Sequence, residues 1–354
     1  NNFSGSITAN GNVVTIYGNG AMNMAPVTAN DLIIRNSNGN ITQTGRIRVK
    51  NVNTAYLTAI NGNIILNNTT NDFVGAIHAN ATNDIEIYNS NATILGNISS
   101  TNFQIVSAGG GITQVSGTNI VVSGLSKLTA SGNSITVNQT TNDFGTVQAT
   151  GTNLTIAESN NITLNNTSIT NTVNITAANQ ITISGSYSAA NTLLNNGSLD
   201  LASLMNTNLT IDGSGTSANI QTGGNITGAA TVNNGSLTSN GAFGALTLNG
   251  STLYTTSNGT TVSGSLAFNS GTVWNASGIS KTNFSGIVAG GSVTINKAAN
   301  LTLTAPGNLV YGEGLTLINK TSSGLLTGNF SGLTQNQRFT SNNTSLTNLD
   351  NLLN

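Results

Sequence analysis

Apolar and polar residues alternate along most of this chain. Asn153-Leu154-Thr155-Ile156, Asn161-Ile162-Thr163-Leu164, Val173-Asn174-Ile175-Thr176 and Ile181-Thr182-Ile183-Ser184 all read with a period of two. Such spacing puts Leu, Ile and Val on one face of an extended strand and Thr, Asn and Ser on the other. Thr and Ile also suit a pleated surface. Asn61-Gly62, Asn196-Gly197, Asn234-Gly235 and Asn258-Gly259 separate the short runs. Asn-Gly pairs tolerate positive φ and predict tight turns. Pro26 and Pro306 are the only prolines, so little interrupts a ladder. No long helical pattern occurs; Leu346, Leu349, Leu352 and Leu353 offer one short candidate at the end.

A longer period lies over the short one. Ile41-Thr42-Gln43 returns as Ile112-Thr113-Gln114, and Thr69-Thr70-Asn71-Asp72-Phe73 returns as Thr140-Thr141-Asn142-Asp143-Phe144, both 71 positions on (112 − 41). A looser copy, Asn1-Asn2-Phe3, precedes Asn71-Asp72-Phe73 by 70 (71 − 1). The first residue therefore falls inside a repeat, as in a piece of a longer array. Repetition on this scale predicts a quasi-one-dimensional fold in which each unit packs on its neighbours. Many short strands also suit sandwiches or barrels. A block longer than any hairpin, a uniform Ile/Leu/Val/Ala interior and stackable asparagines favour a coil. The expected fold is all-β, a right-handed parallel β-helix (β-solenoid) with an atypical C-terminal cap. At roughly 20–25 residues per rung, one block makes about three rungs and the chain about fifteen. Regular repeats are expected over 1–185 and a less regular solenoid over 186–305. A capping segment is expected over 306–354, where Tyr311-Gly312-Glu313-Gly314-Leu315 breaks the pattern.

Composition narrows the functions. Charged residues make up 5 % of the chain and the net charge is −1. That excludes the basic footprint of a general nucleic-acid binder. Disorder does not fit a chain that is 37 % hydrophobic and alternates regularly. There is no cysteine, hence no disulfide and no thiolate metal site. No run approaches the ~18 apolar residues of a membrane helix, so no membrane insertion is expected. No signal peptide is visible, since Asn1 to Ile7 is polar and already matches the repeat.

One ordered set of motifs carries a resemblance. Gly39-Asn40-Ile41-Thr42-Gln43-Thr44-Gly45 is followed by Gly62-Asn63-Ile64-Ile65-Leu66 and by Asn71-Asp72-Phe73-Val74-Gly75-Ala76-Ile77. Gly111-Ile112-Thr113-Gln114, Ser134-Ile135-Thr136-Val137 and Asn142-Asp143-Phe144-Gly145-Thr146-Val147 repeat the order without a counterpart of Val74. The sequence resembles large exoproteins of the filamentous haemagglutinin type, which Gram-negative bacteria secrete by the two-partner route. The resemblance is good over 1–185, fair over 281–354 and compositional between. It implies a long β-helix on the bacterial cell surface, exported through an outer-membrane transporter and often acting as an adhesin. The family's N-terminal secretion domain is not seen in this sequence, and autotransporter passengers look similar in composition.

Chemistry-bearing residues are few. His78 is the sole histidine and reads as an outward strand residue. Asp84 and Glu86 share a strand face, a spacing a glycosidase permits, but no aromatic platform or basic partner accompanies them. Asp72 and Asp143 sit beside Phe73 and Phe144 at one repeat position, with Phe3 in the looser copy. Their expected role is structural, the carboxylate bonding turn N–H groups and the ring entering the core. Arg46, Arg48 and Lys50 alternate along one strand face. They form either a docking stripe for an anionic glycan or a solvated face that discourages edge pairing. Asn-x-Ser/Thr triplets begin at Asn2, Asn40, Asn68, Asn91, Asn97, Asn153, Asn161, Asn174, Asn208, Asn225 and Asn275, making a glycoprotein conceivable. No glycine-rich aspartate repeat supports calcium.

The expected function is a non-enzymatic, secreted surface protein without a cofactor: a rigid β-helical adhesin shaft or stalk. Its expected partners are glycans or proteins on host or neighbouring cells. The alternatives are a fibre or sheath subunit that self-associates end to end and, more remotely, a polysaccharide-acting enzyme on the same fold.

Overall fold

The computed structural model describes residues 1–51, 54–256, 259–277, 286–304 and 317–331. Among them the regular elements are all β-strands, and they pair in parallel over long registers. The chain forms two compact units, 1–179 and 180–354, each a β-solenoid. The boundary falls inside one long strand, Thr172–Leu201.

In the first unit the alternating residues sort as their spacing requires. Val14, Leu32, Ala55, Ile77 and Leu95 lie one over another in register and are buried. Ile41, Ile64, Ile85 and Phe103 make a second buried column. Each such Leu or Ile withdraws enough surface to contribute roughly 1.5–3 kcal/mol. Outside, asparagines stack in a ladder. The Asn63 Nδ2 donates to Asn40 Oδ1 at 3.1 Å, the Asp84 N–H to Asn63 Oδ1 at 2.9 Å and the Asn102 Nδ2 to Asp84 Oδ1 at 2.9 Å. The turns use the expected residues, with Asn61 at φ 56° and Asn234 at φ 55°. Pro26 lies in the strand Met22–Asn36 where the register with the strand Ser6–Gly18 slips, a bulge that tolerates its missing N–H.

The 71-residue block is not a whole number of turns. From Ile41, three steps through Ile64 and Ile85 reach Phe103, only 62 positions on (103 − 41). Ile112, the sequence equivalent of Ile41, comes nine residues later (112 − 103), beyond the corner at 108–111. It pairs back to Thr93 and forward to Ile135. Successive copies therefore occupy different columns, and the expected three rungs per block become three turns plus part of a fourth. The cause is turn length, which varies from 17 residues between Ile7 and Met24 (24 − 7) to 24 between Arg48 and Asp72 (72 − 48).

The second unit keeps the ladder with longer excursions. Leu209, Ala230, Leu246, Leu266, Val293 and Leu326 are in register. The steps shorten from 21 residues (230 − 209) to 16 (246 − 230) and then lengthen to 33 (326 − 293). Trp274, fully buried, donates its indole N–H to Thr255 Oγ1 at 3.0 Å. Its ring stacks on Phe268 at 5.5 Å, and Phe330 meets Phe268 edge-on at 5.2 Å. Tyr187 is buried with its hydroxyl on Thr192, which bonds Thr207; burial pushes its phenol up. The described part of the expected cap, 317–331, continues the parallel ladder through Ile318–Lys320 and Leu326–Gly328. Pro306, Tyr311 and the terminal leucines lie outside the described residues.

Candidate functional site

The repeated residues build one local device twice. Asn71 is fully buried. Its Oδ1 accepts from the Ile47 N–H at 2.8 Å and Gln43 Nε2 at 2.9 Å; its Nδ2 donates to Gln43 Oε1 at 2.7 Å and the Leu66 carbonyl at 2.9 Å. Gln43 and Asn71 thus form a reciprocal amide pair that closes two neighbouring turns onto each other. Asn142, equally buried, repeats every contact. It accepts from Ile120 N–H and Gln114 Nε2 and donates to Gln114 Oε1 and the Val137 carbonyl. Both pairs span 28 residues. The sequence reading assigned the turn-capping role to Asp72 and Asp143; the structure gives it to the asparagine one position earlier. The reason is direction: along an alternating strand the residue beside the inward ring cannot share its face. Phe73 and Phe144 do enter the core, while Phe3 is half-buried.

Asp72 does something else. Its Oδ2 meets Arg46 Nη2 at 2.9 Å and Arg48 Nε at 3.1 Å, and its Oδ1 accepts from Asn91 Nδ2 at 2.5 Å. The cationic stripe thus carries its own counter-ion, and Lys50 alone of the three is exposed without a side-chain partner among the described residues. Both guanidinium groups are nearly half exposed, so each pair is worth about 1 kcal/mol or less. Asp143 pairs in register with Val121 instead of an arginine and stays exposed. Replacing Asp72 with Asn should keep the Asn91 contact in altered form and release two cations. The variant is expected to elute from a heparin column at higher salt than the parent, and the Arg46→Gln/Arg48→Gln double variant at lower salt. Identical elution of all three would show that this face meets no polyanion.

The remaining candidates are dispersed. Glu86 accepts from Asn67 and Gln104, and Asp84 from Asn102, so this outward pair is spanned by amides from adjacent turns. His78 stacks on Tyr56 with centroids 4.8 Å apart, and its Nδ1 accepts from the Asn97 N–H at 3.0 Å. A Cβ at Gly96 would strike the imidazole, so the ring is held between Tyr56 and bare backbone. Burial lowers the His78 pKa from its ordinary 6.5. No group of three or more His, Asp or Glu among the described residues could hold a metal ion. No described helix is long and apolar enough to cross a membrane.

Glu158 escaped the sequence reading. It is 3 % exposed, its Oε2 accepting from the Phe144 N–H at 2.7 Å and its Oε1 from the Asn160 N–H at 3.1 Å. Asn89 fills the corresponding place in the preceding block, receiving the Phe73 N–H and donating to the Phe73 and Ala92 carbonyls. Desolvation, aided by the nearby Asp143 charge, raises the Glu158 pKa to about 7 against the pull of three donors. The repeat held the signal, because an acid stands where its sister block has an amide.

These features define a repetitive parallel β-solenoid whose recurring residues serve its own turns. Residues 10–80 and 82–150 each match a family model described as repeats of unknown function (DUF5649). The two matches restate the period of about seventy and carry no activity. No curated protein and no solved structure matches the chain.

Proposed function

We propose that this chain is a segment of a non-enzymatic bacterial surface protein, a stiff β-solenoid shaft that mediates attachment. The observation that carries the reading is the Gln–Asn amide lock around a buried asparagine, built at Gln43/Asn71 and again at Gln114/Asn142. What the chain repeats is the device that fastens turn to turn, as a mechanical element requires. An amide and hydroxyl surface with little net charge suits many weak contacts in parallel, where avidity replaces single-site affinity. The resemblance to filamentous haemagglutinin-type exoproteins adds secretion through an outer-membrane transporter, a place on the cell surface, and glycans or proteins of another cell as partners.

Beads coated with the purified chain test it against epithelial and bacterial cells. Attachment should saturate and be competed by soluble chain. Beads no stickier than albumin-coated controls would end the attachment reading. Filaments in negative stain, without attachment, would replace it with the end-to-end fibre.

A further inference from the structure

An open groove of about 510 Å³ lies on the first unit, with Tyr17, Asn19, Arg35, Ser37, Thr58 and Ile60 among its lining. That volume falls within the roughly 300–1,000 Å³ of small-ligand sites. Three of these residues form one outward column, since Tyr17 pairs in register with Arg35 and Arg35 with Thr58. Successive rungs bring them about 4.8 Å apart.

Four of the groove's polar groups have no protein partner among the described residues, while Asn36 and Ser37 are bonded within the fold. Arg46 and Arg48 share the Asp72 carboxylate, whereas Arg35 is exposed with no hydrogen-bond or ion-pair partner among the described residues. The Thr58 and Tyr17 hydroxyls and the Asn19 Nδ2 likewise have no described partner. Ser37 Oγ donates to the Gly18 carbonyl and to Asn19 Oδ1, which leaves the Asn19 amide nitrogen as a donor. Tyr17 is 53 % exposed and Ile60 51 %, an apolar cost that a ligand with an apolar face would relieve.

We propose that this groove binds a carboxylate-bearing saccharide, an acidic sugar of the hexuronate type within a short oligosaccharide. The free guanidinium fork of Arg35 matches a carboxylate in shape and charge. The Tyr17 ring offers a flat platform to the C–H face of a pyranose. Asn19 and Thr58 supply a donor and a hydroxyl at the spacing of successive rungs, which is close to the advance of one sugar along a polysaccharide. This deepens the attachment reading by naming a ligand class, and it can fail while that reading stands.

The test is calorimetric titration of the whole chain with tetragalacturonate and with its methyl ester, which keeps the shape and removes the charge. The acid should bind saturably with a dissociation constant of about 1 mM or tighter. The ester, and Arg35→Gln with the acid, should each lose about tenfold or more. Tyr17→Ala should lose about fivefold. Lys127→Gln, on a distant turn, and Tyr254→Ala, an exposed tyrosine of the second unit, should stay within twofold. Absence of binding, equal binding of acid and ester, or unchanged affinity in Arg35→Gln each overturns the proposal. If beads carrying Arg35→Gln still attach to cells while the parent chain binds no tetragalacturonate, the sugar site is lost and the attachment reading survives.

Discussion

Asn71→Ala is expected to destabilise the first unit by about 3–4 kcal/mol, the largest effect of any polar substitution considered for it. Truncation removes four hydrogen bonds and strands the buried Ile47 N–H and the Leu66 carbonyl, while Gln43 keeps only the Gly45 carbonyl and a long contact from the Asn68 N–H. Each bond is worth about 1 kcal/mol net, and each orphaned buried group costs about 1–3 kcal/mol more. Asn142→Ala should cost a similar amount, because Gln114, Ile120 and Val137 make the same contacts. Denaturant titration reads the loss, and amide exchange at Ile47 or Ile120 locates it. A Gln43/Asn71 double-mutant cycle should show coupling of about 1–2 kcal/mol, since the two amides bond each other twice across that seam. A loss below 1 kcal/mol in both single variants would mean that the repeat is kept for a purpose other than fastening turns.

The path from sequence to this device was only half visible. Alternation at Leu154, Ile156, Ile162 and Leu164 told which residues are buried, because a strand has just two faces and water selects between them. The 71-residue recurrence told which positions matter. It could not tell that Gln43 meets Asn71, because that contact joins two neighbouring turns and depends on how many residues the chain takes to go round. Nor could it reveal that Ile112 sits on another column than Ile41. Self-similarity counts residues, whereas stacking counts turns, and the turns of the first unit differ by up to seven residues (24 − 17).

The charged candidates show the same limit on the surface. Arg46 and Arg48 look like a cationic stripe when read along one strand. Their counter-ion, Asp72, arrives from the next turn 24 residues after Arg48 (72 − 48). Arg35 looked unremarkable in sequence because what sets it apart is the lack of such a neighbour. Whether a cation on a solenoid is free or neutralised is decided across rungs, where chain order is silent. The same holds for Tyr17, whose alternation partner Arg35 is a register neighbour and not a sequence neighbour.

Glu158 should make the first unit less stable as pH rises from about 4.5 to 7. Its folded pKa is raised to about 7 from 4.5, so in that window the folded chain holds a proton that the unfolded chain has released. Stability is then greatest at the acidic end and falls until pH passes the folded pKa, after which it is flat. A shift of this size corresponds to about 3 kcal/mol. Glu158→Gln removes the titrating group, so it should abolish the slope, although its amide nitrogen cannot accept one of the two backbone N–H groups that the carboxylate receives. His78 acts in the opposite direction. Its lowered pKa means that stability is kept above 6.5 and lost as pH falls below it, when the Asn97 N–H loses its acceptor. The difference between parent and Glu158→Gln at each pH cancels the histidine and isolates the glutamate. The readout is the denaturation midpoint together with exchange of the Phe144 amide, which donates directly to the carboxylate. Parallel pH profiles for the two chains would show that Glu158 is ionised throughout, with water or a neighbour answering its charge.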